Sequence, residues 1–446
     1  MRTYFIETWG CQMNQHDSEH LEGQLRRHGL VVAADVSQAD LVLLNTCSVR
    51  EKPVQKILSR IGALSRLDRP PNIGVCGCVA QQEGEALLEQ SAAVAFVLGP
   101  GQIARIGDAL AAVSNGGRPV LTAFDRDDGS NTGTPVVRGS RTRGMVTVIE
   151  GCEEYCTFCI VPYTRGREVS RPEADVIVEV ERLVREGLRE VELLGQTINA
   201  YRCPETGADF AHLLDRVARV EGLERVRYVT SHPRHFSDRI IDVLARHANL
   251  SRYLHLPAQS GSDAVLKRMH RRYTAEEYLD LIARIRSKLP EINLSTDVIV
   301  GFPGETDEDF AASLQLLETV RFGQVFGFAF SPRPGTPAAR YPIPLPEPTK
   351  KQRLHRVFEV SDRISHELNQ ALVGTTQLVL IDGDSRRSRS DWQGRAEDNR
   401  VVNFAKHAHE QVGDVLEVRI TRASPHSLYG EIVGPRTLLP VLDAHP

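Results

Sequence analysis

The residues Gly151-Cys152-Glu153-Glu154-Tyr155-Cys156-Thr157-Phe158-Cys159 directly follow a strand-like apolar run at 145–149. The C-x3-C-x2-C spacing keeps three thiolate sulfurs close enough together to hold one face of a [4Fe-4S] cube. A structural zinc site is closed by four ligands, whereas three ligands leave one iron open for a cofactor. We therefore predict that Cys152, Cys156 and Cys159 bind a catalytic iron–sulfur cluster next to the aromatic Phe158. A zinc knuckle that lacks one ligand is the alternative.

The chain around this motif repeats a strand–helix unit six times. Strand-like runs occur at 145–149, 190–194, 225–229, 252–256, 294–300 and 325–330. Helical periodicity occurs at 173–186, 208–220, 236–248, 262–269, 275–288 and 307–321. Such a series predicts a partial (β/α) barrel of six units, with its chemistry at the carboxyl ends of the strands. A doubly wound open sheet is the alternative.

The N-terminal residues predict a separate open parallel sheet covered by helices. Strand-like runs occur at 3–7, 41–44, 73–76 and 95–98, and helical patterns at 16–29, 52–66, 82–91 and 102–113. Three of these strands run into loops that contain Cys11, Cys47 and Cys78. Because the carboxyl ends of parallel strands share one edge of a sheet, we expect these three cysteines to meet there.

The C-terminal residues change to short strands. A helical pattern at 349–371 is followed by strand-like runs at 377–381, 401–404, 415–420 and 428–433. This spacing fits a small five-stranded barrel of the oligonucleotide-binding type. The segment 114–143 has the composition of a linker, and we predict an N-terminal domain at 1–117, a linker at 118–137, a barrel domain at 138–370 and a C-terminal barrel at 373–436.

Composition limits the class of protein. The chain has 446 residues, 25% of them charged, with a net charge of -4, which argues against a disordered chain and against a protein that clamps long duplexes by charge. No apolar run reaches the ~20 residues of a membrane helix, and Glu7 interrupts any signal peptide. Eight cysteines without an export signal favour metal or redox chemistry in the cytoplasm over disulfides.

The motif at Cys152 resembles that of radical S-adenosylmethionine enzymes, and further stretches resemble the methylthiotransferase family among them. The resemblance covers nearly the whole chain, and the stretches occur in the order of the family. They are Gly10-Cys11-Gln12-Met13-Asn14, Asp17-Ser18-Glu19, Asn45-Thr46-Cys47-Ser48-Val49-Arg50, Gly77-Cys78-Val79-Ala80-Gln81, Val161-Pro162-Tyr163-Thr164-Arg165-Gly166, Leu256-Pro257-Ala258-Gln259-Ser260-Gly261, Gly301-Phe302-Pro303-Gly304 and Ser331-Pro332-Arg333-Pro334-Gly335-Thr336-Pro337. Gln-Met-Asn after Cys11 and Ser-Val-Arg after Cys47 resemble the branch that acts on N(6)-dimethylallyladenosine in tRNA.

The resemblance implies a role for each group of residues. Cys152, Cys156 and Cys159 would hold the cluster that cleaves S-adenosylmethionine, and Cys11, Cys47 and Cys78 would hold a second, auxiliary [4Fe-4S] cluster. The turns containing Gly195, Gln196, Gly301 and Gly304 would contact the cofactor, with Phe158. Gly394-Arg395 and the run Asn399-Arg400-Val401-Val402-Asn403-Phe404 resemble the TRAM domain, an RNA-binding barrel, and we expect RNA contacts from Arg386, Arg387, Arg389 and Arg395. Cys76 is expected to be a buried strand thiol, and Cys203 has no assigned role.

The reaction implied by the resemblance is methylthiolation at C2 of N(6)-dimethylallyladenosine, position 37 of tRNA. One S-adenosylmethionine would methylate a sulfur on the auxiliary cluster, and a second would give the radical that reaches an unactivated carbon. The expected partners are this tRNA and a reducing electron donor, with no membrane, and the chain is expected to be a monomer. The alternatives are a methylthiotransferase acting on an aspartate of ribosomal protein S12 or on threonylcarbamoyladenosine, and a non-catalytic iron–sulfur protein that binds RNA and senses redox state.

Overall fold

The computed structural model describes residues 1–48, 53–124, 136–140, 142–407 and 409–435. These residues form an N-terminal sheet domain, a central barrel domain and a C-terminal barrel. No helix within them is both long enough and apolar enough to cross a membrane.

The N-terminal domain is a parallel sheet between two layers of helices. Its elements are β1 (Thr3–Trp9), α1 (Gln12–Arg27), β2 (Val31–Val32), β3 (Leu41–Thr46), α2 (Pro53–Leu64), β4 (Asn72–Gly77), α3 (Cys78–Glu83), α4 (Ala86–Gln90), β5 (Val94–Leu98), α5 (Ile106–Ser114) and β6 (Val120–Leu121), with 3-10 turns at Val36–Gln38 and Pro100–Arg105. The strand order is β2-β1-β3-β4-β5-β6. One apolar core includes Leu21 and Leu25 of α1, and the other includes Ile57 and Ile61 of α2. The predicted open parallel sheet is confirmed.

The central domain is the predicted six-unit partial barrel. Its elements are β7 (Arg143–Thr147), β8 (Ile149–Glu150), α6 (Val161–Arg165), β9 (Val169–Ser170), α7 (Glu173–Arg185), β10 (Glu190–Leu194), α8 (Phe210–Ala218), β11 (Arg225–Tyr228), α9 (Asp238–Arg246), β12 (Tyr253–His255), α10 (Asp263–Arg268), α11 (Ala275–Lys288), β13 (Asn293–Val300), α12 (Asp307–Val320), β14 (Gln324–Ala329) and α13 (Glu347–Gln370), with 3-10 turns at Ile198–Ala200, Pro233–His235 and Pro337–Arg340. Two parallel three-stranded sheets, β11-β10-β7 and β12-β13-β14, are joined by a parallel bridge between Val226 and Leu250.

The C-terminal unit is a closed five-stranded barrel. Its strands are β15 (Thr376–Asp384), β16 (Asp391–Ala396), β17 (Val401–Ala405), β18 (Val415–Ala423) and β19 (Leu428–Pro435). They follow the order β15-β16-β17-β19-β18, and β18 pairs with β15 to close the barrel. Phe404, Val418 and Ile420 are among the buried side chains that fill its interior.

The C-terminal barrel docks on the amino ends of the central strands. The turn between β16 and β17 provides the contact, because Asn399 accepts a hydrogen bond from Arg227 and the Asp398 carbonyl accepts one from Asn293 (2.8 Å). The cysteine motif follows the opposite, carboxyl end of β7. The C-terminal barrel and the cysteine motif therefore lie at opposite ends of the central domain.

Several elements differ from the sequence-based expectation. The predicted helix at 82–91 is two short helices, because Gly84 adopts a positive φ (52°) that ends the first. Strand β16 was not among the predicted strands, since Asp-Trp-Gln-Gly-Arg-Ala lacks an alternating apolar pattern. β6 lies inside the predicted linker, and it pairs with β5 of the N-terminal sheet. Residues 125–135 of that linker lie outside the described residues. The bounds of the four predicted ranges, three domains and a linker, stay predictions.

Candidate active site

The structure brings Cys152, Cys156 and Cys159 together in the loop after β8. Cys152 and Cys156 are buried and Cys159 is partly buried. The thiol of Cys159 is close enough to those of Cys152 and Cys156 for their charges to affect its ionisation. Three thiols therefore meet at the carboxyl end of the barrel, as the sequence predicts.

The loop after β10 and the end of α10 hold the cysteine loop in place. Gln196 and Thr197 lie in the loop after β10. The Gly151 amide donates to Gln196 Oε1 (2.5 Å), and Cys152 Sγ lies 3.2 Å from Thr197 Oγ1. In the loop after α10, the carbonyls of Met269 and Arg268 accept from the amide and hydroxyl of Thr157 (3.0 and 2.9 Å). Gly151 has a φ of 80°, and an added Cβ would lie 1.9 Å from the Arg167 carbonyl. No other residue fits that position.

A buried cation stands beside the triad. Arg271 is 5% exposed, and its guanidinium donates to Cys156 Sγ (3.4 Å), the Pro257 carbonyl (3.0 Å) and the Tyr273 hydroxyl (3.0 Å). Burial raises the pKa of the Cys152 thiol to about 11 and also raises that of Cys159. Iron binding therefore displaces thiol protons, and the positive charge of Arg271 favours the thiolates that result.

A carboxylate of the same loop is tied to the loop after β11. Glu154 is buried, and its Oε1 lies 2.6 Å from His235 Nε2, while Oε2 lies 3.8 Å from His232 Nε2. The three side chains have the residue types of a metal site. However, His232 Nδ1 accepts a hydrogen bond from the Arg234 amide (3.2 Å), so a neutral His232 carries its proton on Nε2. Burial lowers the pKa of His232 to about 2. The contact between Glu154 and His235 therefore anchors the cysteine loop.

The structure also brings Cys11, Cys47 and Cys78 together, from the loops after β1, β3 and β4. The Cys47 thiol hydrogen-bonds that of Cys11, and this contact, with the Arg165 charge, lowers the pKa of Cys11 to about 6. The charges of Cys78 and Cys11 also interact, although burial raises the pKa of Cys78. Cys76 is 1% exposed in the apolar core with Tyr4, Leu43 and Phe96, as expected for a strand thiol.

Two asparagines and a glycine hold these loops against each other. Asn14 donates to the Thr46 carbonyl (3.2 Å), Asn45 donates to the Asn14 carbonyl (2.8 Å), and the Cys11 thiol donates to Asn14 Oδ1 (3.3 Å). A Cβ on Gly10 would lie 2.8 Å from the Cβ of Cys47. Only glycine allows this approach. Val49 and Arg50, which belong to the motif after Cys47, lie outside the described residues.

The sulfur arrangement fits an iron–sulfur cube better than a single ion. One tetrahedral zinc ion needs its thiolates about 3.8 Å apart. Among the described residues, only the Glu154 group has three ligand atoms all within 4.8 Å of one another, so neither cysteine triad does. A cube places each thiolate on a different iron and needs a wider spacing. Each triad offers three thiols, a donor set that would leave one iron of such a cube without a thiolate ligand.

Two of the expected cofactor-contacting residues, Phe158 and Gln196, lie in the cysteine loop or bond to it. Phe158 packs against the apolar cluster of Phe302 and Phe330. The side-chain oxygen of Gln196 accepts a hydrogen bond from the Gly151 amide. The Gly195 carbonyl accepts one from Thr230 Oγ1 (2.5 Å).

The second cofactor turn has internal partners of its own. Gly301 and Gly304 adopt positive φ (69° and 77°), and the Gly301 amide donates to Glu305 Oε1 (3.0 Å). The Gly304 amide donates to the Ile343 carbonyl (3.1 Å), and its carbonyl accepts from Arg268 (3.0 Å). The cofactor contacts of Phe158 and these two turns stay predictions.

The four arginines expected to bind RNA fall into two groups. Arg386, Arg387 and Arg389 belong to the loop between β15 and β16. Arg395 instead donates to the Asn399 carbonyl (3.1 Å), pairs with Asp382 (3.4 Å), and its own carbonyl accepts from Arg225 (3.2 Å). The carbonyl of Arg395 therefore takes part in the docking contact between the two barrels, while its guanidinium pairs within the C-terminal barrel.

Sequence patterns gave no role to three side chains that touch the thiols: Arg271, Thr197 and Arg165. Each reaches its cysteine from a loop or helix far away in the chain, and an arginine or threonine alone carries no ligand signature. Arg165 lies within a matched motif, and this was the only signal in the sequence that pointed to it. Cys203 packs in the apolar core of the central domain.

Comparisons with known proteins agree with this arrangement. Residues 3–99 match a family described as "Uncharacterized protein family UPF0004", residues 146–317 match the radical SAM superfamily, and residues 370–433 match the TRAM domain. Proteins named tRNA-2-methylthio-N(6)-dimethylallyladenosine synthase are 44% identical in Alkalilimnicola ehrlichii (96% of this chain, 97% of that one) and 46% identical in Methylibium petroleiphilum (96% of each).

The solved structures support the fold. The radical S-adenosylmethionine methyltransferase TsrM from Kitasatospora setae, with cobalamin and a [4Fe-4S] cluster bound, has a TM-score of 0.55 and 16% identity over 84% of this chain and 77% of that one. The identity of full-length relatives, the three matched domains and the cysteine loop at the carboxyl end of a partial barrel lead to one conclusion. The chain belongs to the tRNA-2-methylthio-N(6)-dimethylallyladenosine synthase family and is a radical S-adenosylmethionine methylthiotransferase.

Proposed function

We propose that this enzyme methylthiolates C2 of N(6)-dimethylallyladenosine at position 37 of tRNA, using two S-adenosylmethionine molecules and two [4Fe-4S] clusters. The observation that carries the proposal is the pair of cysteine triads, each with three thiols that follow strand ends, a donor set that would leave one iron open. The names of full-length relatives supply the substrate.

The side chains around each triad define what the protein contributes. Cys152, Cys156 and Cys159 hold the first cluster, which supplies the electron that cleaves S-adenosylmethionine. Arg271 keeps a positive charge next to Cys156, and Glu154 anchors the loop through His235. Cys11, Cys47 and Cys78 hold the auxiliary cluster at the facing edge of the N-terminal sheet. Phe158 and the turns at Gly195-Gln196 and Gly301–Gly304 would bind the cofactor.

The C-terminal barrel recognises the tRNA away from the reacting base. The loop with Arg386, Arg387 and Arg389 lies at the end of β16 opposite the docking turn. Six strand residues span about 20 Å, so this loop contacts a part of the tRNA distant from the adenine. Recognition of RNA by arginine relies on phosphates and shape. We leave Arg395 out of this surface. The enzyme works in the cytoplasm as a monomer, with a separate electron donor.

The test is an anaerobic reaction of reconstituted enzyme, S-adenosylmethionine and reductant with three substrates. The substrates are tRNA carrying dimethylallyladenosine, tRNA carrying threonylcarbamoyladenosine, and ribosomal protein S12. Mass spectrometry should find a methylthio group on the first substrate alone. A methylthio group on either of the others would replace the proposed substrate, and the absence of 5′-deoxyadenosine in every reaction would favour the non-catalytic redox sensor.

A further inference from the structure

Two matched motifs have no role in the proposed reaction, and the structure joins them. Asp17 lies on α1 of the N-terminal domain, and Arg165 ends α6 of the central domain. The guanidinium of Arg165 donates to both carboxylate oxygens of Asp17 (3.3 and 2.5 Å). Arg165 is 2% exposed and Asp17 is 4% exposed. A bidentate ion pair is thus buried in the interface between the two domains.

Helix α6 connects the two cysteine triads. It begins two residues after Cys159 and packs against α3, whose first residue is Cys78. At the end of α6, Arg165 is near enough to Cys78 and Cys11 for its positive charge to favour both thiolates. One side chain therefore pairs with the carboxylate of Asp17 and places its positive charge beside the auxiliary triad.

The position of this pair matters more than its contribution to stability. Removing a carboxylate and a guanidinium from water offsets much of their attraction, so a buried pair stabilises little compared with apolar packing. A second ion pair already links the same two domains. Arg138, which precedes β7, lies 4.0 Å from Glu19 of α1, and its guanidinium donates to the Met145 carbonyl (3.1 Å) and to Glu179 (3.2 Å). Domain docking alone does not require a second buried charge next to the thiols.

We propose that Arg165 is a positioning residue that fixes the auxiliary triad relative to the barrel triad and raises the reduction potential of the auxiliary cluster. A positive charge and a hydrogen-bond donor next to a cluster sulfur stabilise the reduced, more negative form. Asp17 holds the guanidinium in place and partly offsets its charge. This inference rests on the proposed auxiliary cluster.

The first test measures positioning in cluster-free protein. Hydrogen exchange of α3 and α6 is compared by mass spectrometry in the wild-type chain, Arg165→Met and the control Arg138→Met. Arg165→Met should exchange faster in both helices, whereas Arg138→Met should leave both near the wild-type rate. Equal exchange in Arg165→Met and wild type would overturn the positioning role. This result is independent of whether the chain binds a second cluster.

The second test measures the potential of the auxiliary cluster by titration followed by electron paramagnetic resonance. The full chain carries Ala at Cys152, Cys156 and Cys159, so that only the auxiliary cluster contributes. Arg165→Met should shift the potential to more negative values, and Asp17→Asn, which leaves Arg165 unbalanced, should shift it to more positive values. Arg138→Met should not shift it. A purely structural role predicts no such opposite signs.

The double variant Asp17→Asn/Arg165→Met guards against misfolding, because it leaves no unpaired buried charge. Its potential should lie between those of Arg165→Met and the wild type. Shifts in the same direction for both single variants, or no shift in any variant, would overturn the electrostatic role. A wild-type chain without a second cluster would instead contradict the proposed function, with the exchange comparison still deciding the role of the ion pair.

Discussion

Replacing Arg271 with Met tests whether the buried guanidinium holds the cysteine loop. Arg271 makes three hydrogen bonds, to the Cys156 thiol, the Pro257 carbonyl and the Tyr273 hydroxyl. Hydrogen bonds that involve a charged group contribute about 1.5–3 kcal/mol each. The stability lost on replacement is smaller than the sum of these contributions, for two reasons. Met needs no desolvation, and the Pro257 carbonyl still accepts a hydrogen bond from Tyr273 (3.2 Å).

We therefore expect a loss of about 2–4 kcal/mol in the unfolding free energy of the central domain. For a domain of this size the loss corresponds to a fall in Tm of roughly 5–15 °C. The assay is thermal unfolding of cluster-free protein, followed by iron content after reconstitution. Arg272→Met is the matched control, because Arg272 is exposed and its guanidinium donates to His270 (3.2 Å) instead of to a thiol. Equal Tm values for Arg271→Met and Arg272→Met would refute the reasoning.

Substitutions can test each triad and the arginine loop separately. Replacing the barrel triad with Ala should remove about half of the roughly eight irons that two cubes bind, and retention of all iron would contradict the assignment of Cys152, Cys156 and Cys159. Gly10→Ala should lose the auxiliary cluster but still cleave S-adenosylmethionine, since its Cβ meets that of Cys47, whereas Gly62→Ala, with nothing within 4 Å, should behave as wild type. Replacing Arg386, Arg387 and Arg389 with Ala should weaken tRNA binding. The slope of the logarithm of affinity against the logarithm of salt concentration should fall by about one unit for each phosphate that the loop no longer neutralises. Unchanged affinity would exclude this loop from the tRNA-binding surface.

The sequence predicted the strands of the barrel closely because each is a short apolar run between turn residues. The run at 190–194 matches β10 at both ends, and 294–300 differs from β13 by one residue. The same reasoning failed for β16, whose polar residues and Gly394 carry no alternating pattern. Its place depends on closure of the small barrel, which is a tertiary effect.

The cysteines were predictable for a similar reason, whereas the residues around them were not. Strand-end position and spacing are visible in the sequence, and they bring Cys11 and Cys47 together. The cation beside Cys156 comes from Arg271, more than a hundred residues further along the chain. Arg395 is a second example, because the bond between its carbonyl and Arg225 of the central domain could not be read from the sequence. Contacts between distant segments decide both cases.

The most direct test of the account is one preparation of the Cys78→Ala variant, assayed twice. Only two auxiliary thiols remain in this variant, while the barrel triad is intact. We predict that the reduced protein still forms 5′-deoxyadenosine from S-adenosylmethionine and makes no methylthio nucleoside on dimethylallyl-bearing tRNA. Cys156→Ala, the control, should do neither. Methylthiolation of tRNA by Cys78→Ala at near the wild-type rate would contradict the division of labour between the two triads.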